Sequence, residues 1–170
     1  YTHFIKEVVP IAEELGIRIG IHPDDPPAPE LAGVTRCIFS SFDGYRRAME
    51  IANSPNVGLC LCCGCWLEGG KLMGRDVIET IRYFGKQGKI FKVHLRNVNA
   101  PMPHFVETFL DDGYFDMYQI VRALREVDFR GCIIADHVPG MVGGRYAAFA
   151  YAIAYMKALK ERADAELGKG

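Results

Sequence analysis

Short apolar runs, rich in β-branched and aliphatic residues, alternate with longer segments of helical periodicity along the chain. Four of these runs have the length and composition of buried strands, and each is followed by turn residues and then by a predicted helix. A further extended piece is predicted at residues 35–39. The four predicted strands are residues 17–21, 57–62, 89–94 and 131–136.

The predicted helices place their apolar residues on one face, at a spacing close to 3.6 residues. Pro10 is expected to kink the first helix, and Ser41 is expected to cap the second at its amino end. Loops rich in glycine, proline or aspartate are predicted over residues 22–33, 63–73 and 95–115. The helices are residues 2–15, 42–52, 75–84, 116–127 and 146–163.

An alternation of strand and helix is typical of a parallel α/β fold. The loops after the strands are long and the loops after the helices are short, as in a (β/α)8 TIM barrel, which carries its working surface at the carboxyl ends of its strands. Four strand–helix units are half of such a barrel. We therefore interpret residues 1–170 as one domain and, because the chain opens on a helix, as a fragment of a longer protein.

Each predicted strand ends on, or runs directly into, a residue that binds metals. In a parallel architecture the strand ends meet on one face, so two imidazoles, a thiolate and a carboxylate are expected to converge there. One such residue alone would ordinarily be packed or hydrogen bonded, but four in register predict a transition-metal site for Mn, Fe, Co, Ni or Zn. The four residues are His22, Cys62, His94 and Asp136, spaced 32 to 42 positions apart.

Composition and charge narrow the classes of function. The formal net charge is −1 and basic residues form no stripe, which argues against nucleic acid as a partner. We find no apolar run of the roughly 18 residues that a membrane span needs, and no signal peptide, so we expect a cytoplasmic protein. Four of the six cysteines lie within residues 60–65, too close along a strand to bridge one another, which favours reduced thiols.

The cysteine run has an alternative interpretation as an iron–sulfur or zinc-binding module of a non-catalytic protein. Such modules use pairs of cysteines separated by two to four residues, with the pairs far apart or regularly repeated. The spacing here differs from these patterns. We therefore interpret Cys60, Cys63 and Cys65 as small buried apolar residues and keep only Cys62 as a ligand.

Two residues beside the predicted ligands are candidates for proton transfer and for substrate binding. His137 directly follows a predicted ligand and could transfer protons near neutral pH; the alternative is a surface loop histidine. Arg96 shares the strand face of His94 if the strand continues, and could hold a carboxylate; the alternative is a solvated arginine.

Three more candidates lie in the loops at the same face. Asp24 and Asp25 follow the first strand and are candidate partners of substrate hydroxyl groups, although turn formation around Pro26 would also explain them. Tyr146 opens the last predicted helix, where its phenol could reach a substrate or could simply be packed.

Five sequence motifs, in this order, resemble the D-mannonate dehydratase family of the xylose-isomerase-like barrel superfamily. The resemblance covers nearly all 170 residues, as the C-terminal half of the family's enzymes, and its most specific string is the first. The motifs are Ile21-His22-Pro23-Asp24-Asp25-Pro26-Pro27, Leu61-Cys62-Cys63-Gly64, Val93-His94-Leu95-Arg96-Asn97, Gly113 through Asp116-Met117-Tyr118, and Ala135-Asp136-His137.

The resemblance implies dehydration of D-mannonate, a small sugar acid, to 2-dehydro-3-deoxy-D-gluconate in hexuronate catabolism. It implies Mn²⁺, with Fe²⁺ as the alternative, on the same four ligands, and a homo-oligomer in full-length form. It also implies that His137 is the acid/base histidine and that Tyr146, in Gly144-Arg145-Tyr146, is the family's loop-to-helix tyrosine. The family's Phe-His-Glu string is Phe105-Val106-Glu107 here.

A different reaction in the same barrel is the second hypothesis. Sugar isomerases and epimerases of this superfamily also use a divalent metal, but they generally rely on acidic ligands. A thiolate and two imidazoles among the predicted ligands therefore favour the dehydratase.

Overall fold

Four parallel strands form the central sheet and stand side by side in the order in which they occur in the chain. The structure is a computed structural model and describes residues 1–36 and 38–169. The central strands are numbers 1, 4, 5 and 8 of the eight, and two short antiparallel hairpins use the others. The strands are β1 (Ile19–Ile21), β2 (Glu30–Leu31), β3 (Val34–Thr35), β4 (Val57–Cys62), β5 (Ile90–Leu95), β6 (Asn97–Val98), β7 (Glu107–Thr108) and β8 (Cys132–Ala135).

Helices connect the central strands and cover the sheet. All five predicted helices are present, the last one longer than expected at both ends, and Pro10 lies inside the first. The predicted Ser41 cap is confirmed, since its hydroxyl accepts a hydrogen bond of 3.2 Å from the Gly44 backbone N–H. The helices are α1 (Thr2–Glu14), α2 (Phe42–Ala52), α3 (Cys63–Gly69), α4 (Val77–Gly85), α5 (Met117–Glu126) and α6 (Gly144–Leu167).

The prediction of a loop over residues 63–73 is wrong. This segment forms the buried helix α3 and a turn of 3-10 helix, Gly70–Met73. Its glycines serve close packing, because a Cβ on Gly64 would lie 2.2 Å from Nε of Arg96. The predicted extended piece at 35–39 is only partly tested: Thr35 belongs to β3, and residue 37 lies outside the described residues.

The core lies between the sheet and the helices that follow its strands. All six residues of β4 are buried, as expected for a strand with a neighbour on each side. The amphipathic helices α4 and α5 pack their apolar faces against this layer. The largest fully buried side chains, apart from Arg96, are Ile5, Tyr45, Leu59, Leu61, Met73, Ile81, Phe84, Leu95, Met117, Ile120 and Leu124.

Strand register brings the four carboxyl ends to one edge of the sheet. Cys62 pairs with His94 across β4 and β5, and Leu95 pairs with Ala135 across β5 and β8. β1 and β8 lie at the two edges of the sheet, each with one strand neighbour among the described residues. This is half of a TIM barrel. Among the described residues, each helix is too short or too polar to span a bilayer.

Candidate metal centre

Three of the predicted ligands meet at the carboxyl ends of β1, β4 and β5. The ligating atoms of His22, Cys62 and His94 all lie within 4.8 Å of one another. The two imidazole rings are tilted, with their centroids 4.9 Å apart. A nitrogen–nitrogen–sulfur set at this spacing fits a first-row divalent metal.

The fourth predicted ligand, Asp136, follows β8 directly and lies beside Cys62 and His94. Its Oδ2 lies 3.7 Å from Sγ of Cys62, and its Oδ1 lies 3.7 Å from Nδ1 of His94. Its backbone N–H donates a hydrogen bond of 3.1 Å to the carbonyl of Leu95, which extends the parallel pairing by one residue. The structure therefore brings together all four side chains that the sequence singled out.

The histidine ring nitrogens show which atoms are available to a cation. Nδ1 of His22 lies 2.7 Å from the carbonyl oxygen of Pro23, so this nitrogen donates and leaves Nε2 as the acceptor. His94 is arranged the other way, with Nε2 lying 3.4 Å from Sγ of Cys60. Its Nδ1 is buried and has no hydrogen-bond partner within residues 1–36 and 38–169. A bound cation would satisfy this buried nitrogen, so the residues present fit a metal.

Electrostatics favour the thiolate form of Cys62. The Cys65 side-chain hydrogen bond, with those from His22 and His94 and the charge of Arg96, holds the pKa of Cys62 well below its usual value despite burial. The hydrogen bond to Cys62 also raises the pKa of His22. Because thiolates rather than thiols bind metals, this environment prepares Cys62 as a ligand.

Arg96 lies behind the ligand group, with a fully buried side chain. Its Nη2 is 2.9 Å from Oδ2 of Asp25, 3.1 Å from Oε1 of Glu68 and 3.3 Å from Sγ of Cys65. Its Nη1 is 2.5 Å from Oε1 of Glu107. Burial alone would lower the pKa of Arg96, but the Cys62 and Glu68 charges raise it, so the guanidinium stays charged.

A second acidic group does not offer another cation site. The ligating atoms of Asp25, Cys65 and Glu68 also lie within 4.8 Å of one another. The Arg96 guanidinium lies within 3.3 Å of all three, so it already supplies the positive charge there. Glu68 has no exposed side-chain surface, and burial raises its pKa to about 8.

His137 lies at the open side of the group with a half-exposed ring. Its Nδ1 is 2.6 Å from Oε1 of Glu107 and 2.6 Å from Nη1 of Arg96. The hydrogen bond to Glu107 raises the pKa of His137. Its backbone has a φ of +47°, in the left-handed region, which turns the chain immediately after Asp136.

The structure does not bring every candidate to the metal group. Tyr146 lies in the first turn of α6 and is 90% exposed, so its ring faces solvent. Asp24 forms an ion pair of 3.4 Å with Arg36. Asp25 reaches Arg96, as described above, and keeps part of its carboxylate exposed.

Sequence reasoning missed the side chains that support the ligands. Cys60, two residues before Cys62, shares its strand face, a spacing that points to a common environment. Glu68 is a charged residue inside an otherwise apolar segment, and Glu107 belongs to the Phe-Val-Glu string of the third long loop. None of these signals specifies a partner, because the partners come from other strands.

A family sequence model and the curated relatives described here point to the same family. The sequence model of the D-mannonate dehydratase (UxuA) family matches residues 1–164. The chain is 36% identical over 160 residues to the mannonate dehydratase of Geobacillus thermodenitrificans, covering 92% of this chain and 41% of that protein. It is 33% identical over 139 residues to mannonate dehydratase 2 of Halalkalibacterium halodurans, covering 80% of this chain and 39% of that protein.

Solved structures agree with this result. The crystal structure of mannonate dehydratase from Streptococcus suis superimposes with a TM-score of 0.88 at 30% identity, covering 99% of this chain and 49% of that one. A xylose isomerase domain protein from Alicyclobacillus acidocaldarius superimposes with a TM-score of 0.74 at 19% identity, covering 94% and 56%, which shows a shared fold. The chain spans about two fifths of the length of the curated relatives it matches.

Proposed function

Since the chain belongs to the D-mannonate dehydratase family, we propose that its four converging side chains hold the divalent metal of a sugar-acid dehydratase. The reaction is the loss of water from D-mannonate to give 2-dehydro-3-deoxy-D-gluconate, in hexuronate catabolism. The observation that carries the proposal is the meeting of His22, Cys62, His94 and Asp136 at four successive strand ends.

The metal is Mn²⁺ or Fe²⁺, for which a mixed set of nitrogen, sulfur and oxygen ligands is suitable. When bound, such an ion acts as a Lewis acid and stabilises negative charge that develops on the substrate next to its carboxylate. The buried Nδ1 of His94 and the thiolate-favouring surroundings of Cys62 support this choice of ligands.

His137 is the proposed proton carrier. Dehydration removes a proton from the carbon beside the carboxylate and adds a proton to the departing hydroxyl group, so it needs a group that can both accept and donate. When its Nδ1 is unprotonated, the ring accepts a hydrogen bond from Nη1 of Arg96; when it is protonated, it donates to Glu107. Each protonation state thus has a partner 2.6 Å away, and the half-exposed ring stays open to a substrate.

Tyr146 is proposed as the partner of His137 in proton transfer. It lies at the amino end of α6, in the segment that follows His137 along the chain. Its ring is exposed rather than packed, so its phenol is accessible to a substrate.

The loop aspartates and Arg96 have different proposed roles. Asp25 keeps part of its carboxylate exposed beside the metal group, and with Asp24 it is proposed to receive substrate hydroxyl groups. Arg96 was expected to hold the substrate carboxylate, which stays a prediction. Its guanidinium also contacts Asp25, Glu68 and Glu107, so we propose that it positions these carboxylates as well.

The thiols support a reducing, cytoplasmic location. Five cysteines of the described residues are free, and four of these are buried. A metal thiolate among free thiols persists where disulfide formation is not favoured.

The test is formation of the keto acid from D-mannonate by the full-length protein loaded with Mn²⁺. Absence of product with the metal bound would reject the dehydratase. Conversion of neutral sugars without loss of water would favour an isomerase or epimerase instead.

Elemental analysis of the purified protein distinguishes the dehydratase from the remaining alternative, a cysteine-rich metal-binding module. We expect one Mn-like ion per chain and no inorganic sulfide. Iron with sulfide, or zinc lost when Cys63 and Cys65 are replaced, would instead indicate a cysteine-rich metal-binding module.

A further inference from the structure

We propose that Cys60 is a positioning residue that fixes His94 in the tautomer with its hydrogen on Nε2. The inference rests on the proposed metal centre and deepens it, because that tautomer is the one that turns the Nδ1 lone pair toward the other ligands. Cys60 then has a role beyond that of a small buried apolar residue.

The geometry around His94 favours one position for the ring hydrogen. Sγ of Cys60 is 3.4 Å from Nε2, within hydrogen-bond distance for sulfur. On the other side of the ring, Nδ1 is buried, and the nearby Asp136 oxygen is 3.7 Å away, too far for a hydrogen bond. The Cys62 sulfur is the competing acceptor for the ring hydrogen, but Cys62 is itself a proposed metal ligand. A hydrogen on Nε2 has the Cys60 sulfur as its acceptor and leaves the Nδ1 lone pair for the metal.

Cys60 belongs to the environment of the ligand group rather than to the apolar core. It alternates with Leu61 along β4 and so points to the same side as Cys62. Cys63, which is completely buried, packs within the main apolar core cluster, whereas Cys60 keeps a small exposed area and lies outside that cluster. The difference separates a sulfur that contacts a ligand from one that only fills volume.

His22 shows that the arrangement is specific to His94. Its Nδ1 hydrogen bonds to the backbone carbonyl of Pro23, so its tautomer is set by the main chain. The His94 ring nitrogens have no such backbone partner within the described part of the chain. Of the two rings, His94 alone lacks a backbone partner in the described residues, so changing Cys60 should leave the His22 tautomer as it is. Such outer contacts orient metal-binding histidines in proteins generally.

The experiment compares Cys60→Ala, Cys60→Ser and Cys63→Ala in the full-length protein. The first readout is ¹⁵N NMR of the histidine rings in metal-free protein, which reports the tautomer without activity. We expect the Nε2–H tautomer of His94 in the parent and in Cys63→Ala, and a loss of that preference in Cys60→Ala. His22 should not change in any variant.

The second readout is the dissociation constant for Mn²⁺ or Co²⁺ added alone. Cys60→Ala should bind 10- to 100-fold more weakly, which is the usual effect of removing an outer partner. Cys60→Ser keeps a hydroxyl acceptor, so its affinity should be restored most of the way, and Cys63→Ala should bind like the parent. Circular dichroism checks that each variant is folded. If Cys60→Ala does not fold, Cys60→Ser provides the test, because a large loss of affinity in that variant would contradict the inference.

Two outcomes overturn the inference: a parent-like His94 tautomer with parent-like metal affinity in Cys60→Ala, or equal losses in Cys60→Ala and Cys63→Ala. Neither readout uses D-mannonate. A protein that shows the Cys60 effect but forms no keto acid would reject the proposed reaction and keep the inference. If the parent bound no metal, the tautomer measurement on metal-free protein would still test whether Cys60 fixes the His94 tautomer.

Discussion

At the scale of single residues, Arg96 determines how charge is arranged beneath the metal group. Burying a guanidinium is costly unless carboxylates surround it, and here Asp25, Glu68 and Glu107 do so. The same side chain lies 3.5 Å from Sγ of Cys62 and packs against Gly64. Removing it would leave a buried carboxylate unpaired and would also open space beside the ligand thiolate.

We therefore expect Arg96→Met to lower the free energy of unfolding by about 3–5 kcal/mol, as for other broken buried ion pairs. Arg82→Met is the matched control. Arg82 is half exposed and pairs with Glu126 at 2.9 Å, so this change should cost about 1 kcal/mol or less. Urea denaturation of both variants measures the difference, and equal losses would contradict the role given to Arg96.

The second residue-scale prediction separates His137 from Asp136. His137→Asn should keep the metal, because His137 is outside the ligand group, and should lower turnover about 10²- to 10⁴-fold. Asparagine tolerates the left-handed φ of +47° at this position, so the backbone should not change. Metal content and turnover are measured on the same preparation.

Asp136→Asn is its counterpart and should weaken metal binding first, with activity lost as a consequence. A His137→Asn protein with near-normal turnover would remove His137 from the mechanism. Equal loss of metal from both variants would instead show a general disturbance of the chain after β8.

At the scale of elements, side-chain caps stabilise the amino ends of three helices that connect the central strands. Ser41 accepts from Gly44 at the start of α2, and Asp76 accepts from Glu79 at the start of α4. The Asp116 carboxylate accepts a hydrogen bond of 2.9 Å from the Tyr118 backbone N–H at the start of α5. Asp116 is one of the motif residues. Its hydrogen bond shows that it caps a helix, which accounts for its place in the motif without a role in the reaction.

Asp116→Ala should therefore lower the free energy of unfolding by about 0.5–2 kcal/mol without changing metal affinity. The exposed Asp112→Ala, in the loop before α5, is the control and should change stability by less than about 0.5 kcal/mol. Chemical denaturation and a metal titration check the two expectations. A large loss of metal affinity in Asp116→Ala would show a role beyond the cap.

The strands and their ends could be predicted because each apolar run in the sequence is followed by, or ends on, a residue that can bind a metal. β4 is apolar at nearly every position and ends on Cys62, so periodicity locates both the element and the ligand. Helix α3 could not be predicted in this way. Its glycines are typical of loops, but Gly64 has no room for a side chain because Arg96, directly after β5, lies against it. A contact between residues so distant in sequence leaves no local pattern.

At the scale of the whole molecule, the half barrel has a protected centre and two less protected edges. β4 and β5 have strand neighbours on both sides, whereas β1 and β8 have one each among the described residues. Cys132 at the start of β8 is exposed, while β4 is buried throughout. Backbone N–H groups that face an open edge exchange readily with solvent.

Hydrogen exchange of the 170-residue chain should reflect this gradient. We expect amides of β4 to exchange slowest, followed by β5, with β1 and β8 at least tenfold faster because their outer edges open without disrupting the core. Mass spectrometry of peptic peptides measures the order. Protection of β8 equal to that of β4 would contradict the open edge.

The order of the four strands also divides the proposed metal ligands between the two halves of the chain. The turn at Gly88, with a φ of +65°, connects α4 to β5 at the end of the sheet opposite the ligands. A cut there would leave His22 and Cys62 on one piece and His94 and Asp136 on the other. Neither piece would hold a complete set of donors, so recovery of metal affinity on mixing would report that the pieces have reassembled. The metal ion would then serve as a measure of complementation between two polypeptides, independent of any substrate.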